Sequence, residues 1–315
     1  MSASPAEEQK PLPITPDDVR RELASSDARV VTAAASALGA LAMRAKLPSD
    51  FATLVDDLLN VLADDGRITS DEPAAQAAVL AALTGLCATV DGARHRALER
   101  DAVGMTMTRA LDGGRALSAN ATTDSSSAGG STADADIAGA RSSVCINALD
   151  FFRFLQSEGD SRGFNAVRND PRCMAFALEA TKVSGRTELD FMKRVGGVDL
   201  IVNLTQQVVD DEQKFNDIIR EGAFDVFTTA LKADEDEVAV RGCIGLACAL
   251  PRRRDLRLRL AEDGEIIRRL ATLMGATDEG IKAFASGLFR ALAMDPETKP
   301  FVEKGLRDGA NLQSV

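Results

Sequence analysis

Apolar residues fall at helical spacing in block after block of the chain, and the blocks return at a near-constant interval. Between Asp236 and Leu250 the residues Val240, Cys243, Ile244, Ala247 and Leu250 step by three or four, which predicts a helix with one buried face. The segments "ASALGALA" around Leu38, "AALTGLC" around Leu83, "NALDFF" around Leu149, "IGLACAL" around Leu246 and "SGLFRALA" around Leu288 each set a small residue directly before a leucine. Leu38 and Leu83 are 45 residues apart, Leu246 and Leu288 42. Ten or eleven residues ahead of three of these leucines stand Asp27, Asp236 and Asp278. An acid there suits the first turn of a helix, where N–H groups lack partners and the dipole is positive.

A second column keeps step with the first. "FNDIIREG" ending at Gly222, "RLRLAEDG" ending at Gly264 and "TKPFVEKG" ending at Gly305 align without gaps at spacings of 42 and 41, and "RHRALERD" ending at Asp101 fits the same column. Each predicts a short helix closed by a residue that adopts the left-handed conformation and turns the chain into the next helix. The repeating unit is then a short helix, a tight turn, a second helix, a polar loop and a long third helix. Thr15 before Pro16, and Asp295 before Pro296, read as helix caps.

This plan resembles the armadillo repeat family, in which a glycine separates the first two helices and the third ends in a pattern like A-L-x-N-L-A. The likeness is clear over residues 211–305, fair over 16–111 and blurred over 139–210. In the blurred part "FMKRVGGVDLIVNL" looks like a first-to-second helix junction, but Gly196 lies only 26 residues before Gly222. The resemblance implies an all-α fold, a right-handed α–α superhelix of about six three-helix repeats over residues 15–308. Tails are expected at 1–14 and 309–315.

From Leu83 to Leu149 the interval stretches to 66 residues, and a Ser, Thr, Ala, Gly and Asp tract at 114–137 accounts for the surplus. It has too little apolar surface to offset its ordering entropy and reads as a disordered inserted loop. Beyond acting as a solvated spacer, the tract offers Thr122, Thr123, Ser125, Ser126 and Ser127 as phosphorylation sites.

Composition supports helices: 4% aromatic residues, no Trp and no Tyr leave little that strands favour. The formal net charge of -11 argues against general nucleic-acid binding, which needs basic side chains for phosphates. No run is long and apolar enough for a membrane span, and "MSASPAEEQK" lacks the pattern of a secretory signal. Cys87, Cys145, Cys173, Cys243 and Cys248 form no C-x-x-C pair and read as buried reduced thiols, which points to a reducing, cytoplasmic compartment. Asn120 and Asn203 begin N-x-T triplets, expected to stay unmodified there.

Against this acidic background "PRRRDLRLRL" at 251–260 stands out. Residues 251–270 hold seven arginines against four acids, a local net of +3. In the repeat register the stretch is a short first helix, with Leu256 and Leu260 on one face and Leu258 opposite, as suits a helix sandwiched between neighbours. Its arginines read either as a solvated face or as a docking site for an acidic protein surface, with Arg252, Arg253, Arg254, Arg257, Arg268 and Arg269 the candidate contacts. Nuclear import and nucleic acid are the disfavoured readings.

No catalytic constellation emerges. The single histidine, His95, lies in a helical segment without metal-ligand spacing, and no nucleophile elbow, P-loop or dinucleotide fingerprint is present. No catalytic residue, metal or cofactor is expected. Armadillo proteins that grip extended peptides carry a ladder of Trp and Asn on their third helices. Here the Asn position of A-L-x-N-L-A reads Ala40, Gly85, Phe151, Cys248 and Arg290, so the ladder looks absent and the groove smoother. Phe151 and Phe289 with Arg290 are the bulky residues nearest that groove; core packing is the favoured reading for each phenylalanine and groove contact the alternative. The expected role is a non-enzymatic adaptor or scaffold for other proteins. A structural subunit of a cytoskeletal, axonemal or other large assembly is the alternative.

Overall fold

The computed structural model describes residues 14–63, 68, 71–119, 132–156 and 161–312, without the side chains of 113–119, 132–134 and 309–312. The described residues form α-helices and two short 3-10 turns, with no strand. The chain divides into two compact units, residues 1–147 and 148–315. The first holds α1 (Pro16–Leu23), α2 (Ala28–Arg44), α3 (Leu54–Leu62), α4 (Pro73–Thr89), α5 (Ala93–Glu99), α6 (Ala102–Ala119) and most of α7 (Thr132–Leu155). The second holds the end of α7, then α8 (Ser161–Asn169), α9 (Pro171–Thr181), α10 (Glu188–Gln207), α11 (Glu212–Arg220), α12 (Ala223–Lys232) and α13 (Asp236–Ala249). It continues with α14 (Arg254–Glu262), α15 (Gly264–Leu273), α16 (Glu279–Met294) and α17 (Lys299–Leu312).

The order short, second, long recurs as α8–α9–α10, α11–α12–α13 and α14–α15–α16. The repeating leucines are its core: Leu38 and Leu83 are fully buried in the first unit, and Leu149, Leu246 and Leu288 are buried in the second. Helix starts follow the sequence signals. The side chains of Thr15, Asp27 and Asp278 accept N–H groups of the first turns of α1, α2 and α16. Asp236 is the first residue of α13, beside the positive end of its dipole.

Gly222 (φ +113°) and Asp101 (φ +50°) turn the chain in the left-handed region, between α11 and α12 and between α5 and α6. Gly264 and Gly305 do not take that role. Asp263, in extended conformation, makes the turn into α15 and accepts the N–H groups of Glu265 and Ile266, while Gly305 lies inside α17. Their smallness serves packing instead: a β-carbon on Gly305 would stand 3.1 Å from Ile267 Cβ and 3.5 Å from Gly264 Cα.

Gly196 marks no junction either. Helix α10 runs unbroken through it and is itself a long third helix, with α8 and α9 as its short partners. The glycines are there because helices approach closely: a β-carbon on Gly197 would meet the Ala177 carbonyl oxygen of α9 at 2.7 Å, and one on Gly196 would stand 3.1 Å from the Leu149 side chain of α7. The tract expected as a loop at 114–137 is helical at both ends, to Ala119 and from Thr132. Alanines and Leu117 favour helix there, and most of the serines and the Gly129–Gly130 pair fall in the middle. Residues 120–131, with Thr122, Thr123, Ser125, Ser126 and Ser127, lie outside the described residues, as do the first 13. At the other end α17 continues past residue 308 to Leu312. Asp295 and Pro296 open a hydrogen-bonded turn rather than α17, which starts at Lys299; the buried Thr298 hydroxyl holds that turn by donating to the Leu292 carbonyl.

Close approach of helices recurs at several small residues. In the first unit Gly39 of α2 faces Ala82 of α4, and Gly85 of α4 faces Ala42. In the second, a β-carbon on Gly242 of α13 would stand 2.6 Å from both the Leu231 nitrogen and the Phe227 carbonyl oxygen of α12. Backbone on both sides leaves nothing to yield. Gly242→Ala should therefore lower unfolding free energy by about 1–3 kcal/mol despite the better helix propensity of alanine. Gly139→Ala, in α7 with open space at its β-carbon, should raise it by up to about 1 kcal/mol. Denaturant unfolding of the two variants against the parent checks both signs.

Candidate functional site

The arginine-rich stretch is helix α14 with its approach, and its leucines are placed as a sandwiched helix requires. Leu256 and Leu260 are buried and Leu258 half-buried. Its arginines face acids of the same chain. Arg252 Nη2 donates to Asp210 at 2.7 Å, and Arg253 to Asp255 at 2.6 Å and to the Asn216 side-chain oxygen at 2.8 Å. Arg254 holds both carboxylate oxygens of Glu297, at 2.6 and 2.7 Å. Arg257 donates to the Leu250 carbonyl at 2.9 Å and to Asp295 at 3.2 Å. Arg259 reaches Asp225 at 2.8 Å, with its guanidinium 5.0 Å from the centre of the Phe224 ring. Arg269 donates to the Ala233 carbonyl and to Asp236, both at 2.8 Å. Of the six candidate contacts, Arg268 alone makes no ion pair among the described residues.

The repeat period explains the pairing. A partner about one repeat away lies alongside, as in Arg252 with Asp210 and Arg254 with Glu297, 42 and 43 positions apart. The same device recurs beyond the stretch. Buried Arg109 of α6 donates to the Leu62 and Ala63 carbonyls at the end of α3. Arg194 of α10 takes the Val183 and Gly185 carbonyls and the Glu235 carboxylate. The carbonyls at the end of α3 have no intrahelical donors, and Arg109 from the neighbouring repeat supplies them; Arg194 does the same for the loop that leads into its own helix.

A second arrangement lies on the third helices of the second unit. Arg153 of α7 pairs with Asp150 at 3.1 Å and with Asp199 of α10 at 3.4 Å. Asp199 in turn accepts from Arg241 of α13 at 2.7 Å, and Arg241 meets Glu237 at 3.2 Å. Burial pushes the Asp150 carboxyl above its usual range, against the pull of Arg153 and with a further push from Asp199. On the exposed line of α10, Asp199 is followed four and seven residues on by Asn203 and Gln206. Asn203 is half-buried, and its side-chain amide makes no hydrogen bond among the described residues. It precedes Leu204 as Asn precedes Leu in A-L-x-N-L-A, with Ile201 in place of the first leucine. The sequence reading missed this rung because it placed a helix junction at Gly196, and the N-L pair within "LIVNLT" was the available signal.

The remaining candidates separate. Phe151 is fully buried with Phe152, their ring centres 6.3 Å apart, and is core rather than contact surface. Phe289 is half-buried and Arg290 exposed on α16. Ala40 is exposed on α2, Gly85 buried in α4, and Cys248 half-buried beside Gln206. All five cysteines are free, and burial pushes the thiols of Cys87, Cys173 and Cys243 up to about 12, which leaves them unreactive. His95 is half-exposed and 2.8 Å from Glu99 one helical turn on. Among the described residues no cluster of three His, Cys, Asp or Glu could hold a metal ion, and no helix is long and apolar enough to cross a membrane.

The fold is an armadillo-like α-solenoid. An engineered protein of solved structure superposes with a TM-score of 0.63 at 14% identity, covering 88% of this chain and 98% of its own. A designed armadillo repeat protein matches with a TM-score of 0.59 at 15% identity, over 88% of this chain and 99% of its own. Another, solved in complex with the peptide (KR)4, matches with a TM-score of 0.58 at 14% identity, over 88% and 98%. No family model matches the chain, and no curated protein matches its sequence.

Two tests follow for the arginines. Arg269→Ala strands helix-end carbonyls and should cost about 1–3 kcal/mol, whereas Arg254→Ala, an exposed pair, should change stability by less than about 1 kcal/mol. Thermal unfolding of both variants would separate them. The Arg254 hydrogen bonds hold Glu297 below its usual 4.5, and the Arg253 hydrogen bonds hold Asp255 below 3.8. Carboxylates with depressed values stabilise the folded chain above their unfolded values and lose that contribution as pH falls through the folded ones. The melting temperature should therefore stay level from neutrality to about pH 5 and fall in more acidic buffer, measured at constant ionic strength.

Proposed function

We propose that the chain is a non-enzymatic recognition scaffold that holds an extended segment of a partner protein along the third helices α10, α13 and α16. The observation that carries this reading is Asn203. It is a half-buried amide with no hydrogen-bond partner, at the place where the armadillo resemblance implies an asparagine that bonds peptide backbone. Gln206, exposed one turn further, offers a second amide.

The charges of this face support backbone recognition over charge recognition. Asp150, Asp199 and Glu237 are already matched by Arg153 and Arg241, so little net charge is left for a partner to read. The designed relative that binds (KR)4 recognises a strongly basic peptide; here the preference for charge should be milder. Of the candidate contact arginines, Arg268 and Arg290 make no ion pair among the described residues and could meet an acidic partner surface. Nucleic acid fits poorly with a net charge of -11 and with arginines committed to acids of the same chain. An adaptor in the cytoplasm is the role we favour.

A phage-displayed library of random decapeptides, selected on the full chain, supplies the probe. Selected peptides should bind with micromolar affinity. Asn203→Ala should weaken them about tenfold, the worth of one or two backbone hydrogen bonds, at unchanged melting temperature. Failure to select any peptide, or equal affinity in the variant, contradicts the proposal.

A further inference from the structure

Gln156 follows the last residue of α7 and is only 4% exposed. Its backbone N–H donates to the Phe152 carbonyl at 3.3 Å, and its side-chain Nε2 donates to the same oxygen at 3.2 Å. Its own carbonyl accepts from Gln207 Nε2 of α10 at 2.9 Å. The side-chain Oε1, by contrast, is buried and accepts no hydrogen bond. A buried acceptor without a donor is costly, and most in folded chains have one.

The way α7 and α10 lie together places this residue. A β-carbon on Gly196 of α10 would stand 3.2 Å from Leu149 Cβ of α7, so these two positions face each other. From there the helices run parallel: Arg153 meets Asp199, and Gln156 meets Gln207. Seven residues make almost two whole turns, so a residue seven positions on keeps its side of the helix. Seven on from Leu149 is Gln156, and seven on from Gly196 is Asn203. The two amides therefore stand opposite each other across the seam, both within the second unit. Asn203 is half-buried and makes no hydrogen bond among the described residues. Two facing amides, one with an orphaned oxygen and one with no partner, offer an acceptor and a donor to the same guest.

We propose that Gln156 is a second binding residue of the site at Asn203, and that the pair takes the N–H and the C=O of a single residue in an extended partner segment. This rests on the reading of α10 as a helix that holds such a segment. In an extended chain the N–H and C=O of one residue point to the same side, as in a hydrogen-bonded pair of an antiparallel ladder. Asn203 Nδ2 donates to the carbonyl, and Gln156 Oε1, turned outward, accepts the N–H. Turning releases Nε2 from Phe152, but that carbonyl keeps the Gln156 backbone N–H. The pair selects more narrowly than an asparagine alone. Proline has no N–H to give, so the residue held between the two amides is never proline, while its side chain points away and is free to vary.

Decapeptides selected on the full chain, remade with each backbone nitrogen methylated in turn, test this by fluorescence anisotropy. On the parent protein one methylated position should bind about tenfold more weakly, and no selected peptide should carry proline there. Gln156→Met keeps the length of the side chain and removes the acceptor. It should bind the unmodified peptide about tenfold more weakly, and methylation at the sensitive position should then cost less than about twofold. A structural role alone would lower the melting temperature and leave the methylation pattern as in the parent. If Gln156→Met binds as the parent does while Asn203→Ala still weakens binding, this inference is overturned and the reading of Asn203 stands. A methylation scan of the parent with no sensitive position overturns it as well, whether or not the variant folds. Equal binding by both variants, or no selected peptide at all, overturns both.

Discussion

The structure depends on helices coming closer than ordinary side chains allow. Gly242 against the backbone of α12, Gly197 against α9 and Gly85 against Ala42 each leave room for a hydrogen atom and little else. Close packing at such points brings the leucine stripes into full contact, and it accounts for an alanine-rich chain without Trp or Tyr. It also limits the chemistry available. Helices stacked this tightly give a long surface, and a surface of that kind suits recognition better than catalysis.

Arginines hold the stack together where glycine cannot. Arg109 and Arg269 each reach carbonyls that end a neighbouring helix, Arg194 reaches Glu235, and Arg252 and Arg254 each reach an acid about one repeat away. A basic run on an acidic chain looks like a binding patch when read along the sequence. In three dimensions every arginine of the 251–270 stretch except Arg268 meets a carboxylate of the same chain among the described residues. The acidic excess is what makes this lacing possible.

Much of the fold was legible in the sequence, because the signals were local. Leucines one repeat apart, aspartates at helix starts and Gly222 in the left-handed region all act through their own turn of helix. What was misread depended on neighbours distant in sequence. Gly196 and Gly305 look like turn residues and are small because another helix crosses them. That error hid α10 as a third helix and, with it, Asn203. Most of the arginine pairs were illegible for the same reason: apart from Asp255 beside Arg253, their acids lie 33 to 43 positions away. Phe151 was placed near a groove by pattern alone and belongs to the core.

The arginine stretch therefore provides cohesion, and the third-helix face of the second unit is the proposed recognition surface. Hydrogen–deuterium exchange on the full chain, free and saturated with a natural partner segment, distinguishes these roles most directly. Protection concentrated on α10 and α13, around Asn203 and Arg241, with α14 unchanged, is the predicted result. Protection concentrated on α14, with α10 unaffected, would contradict it and return the arginines to the role of a docking site.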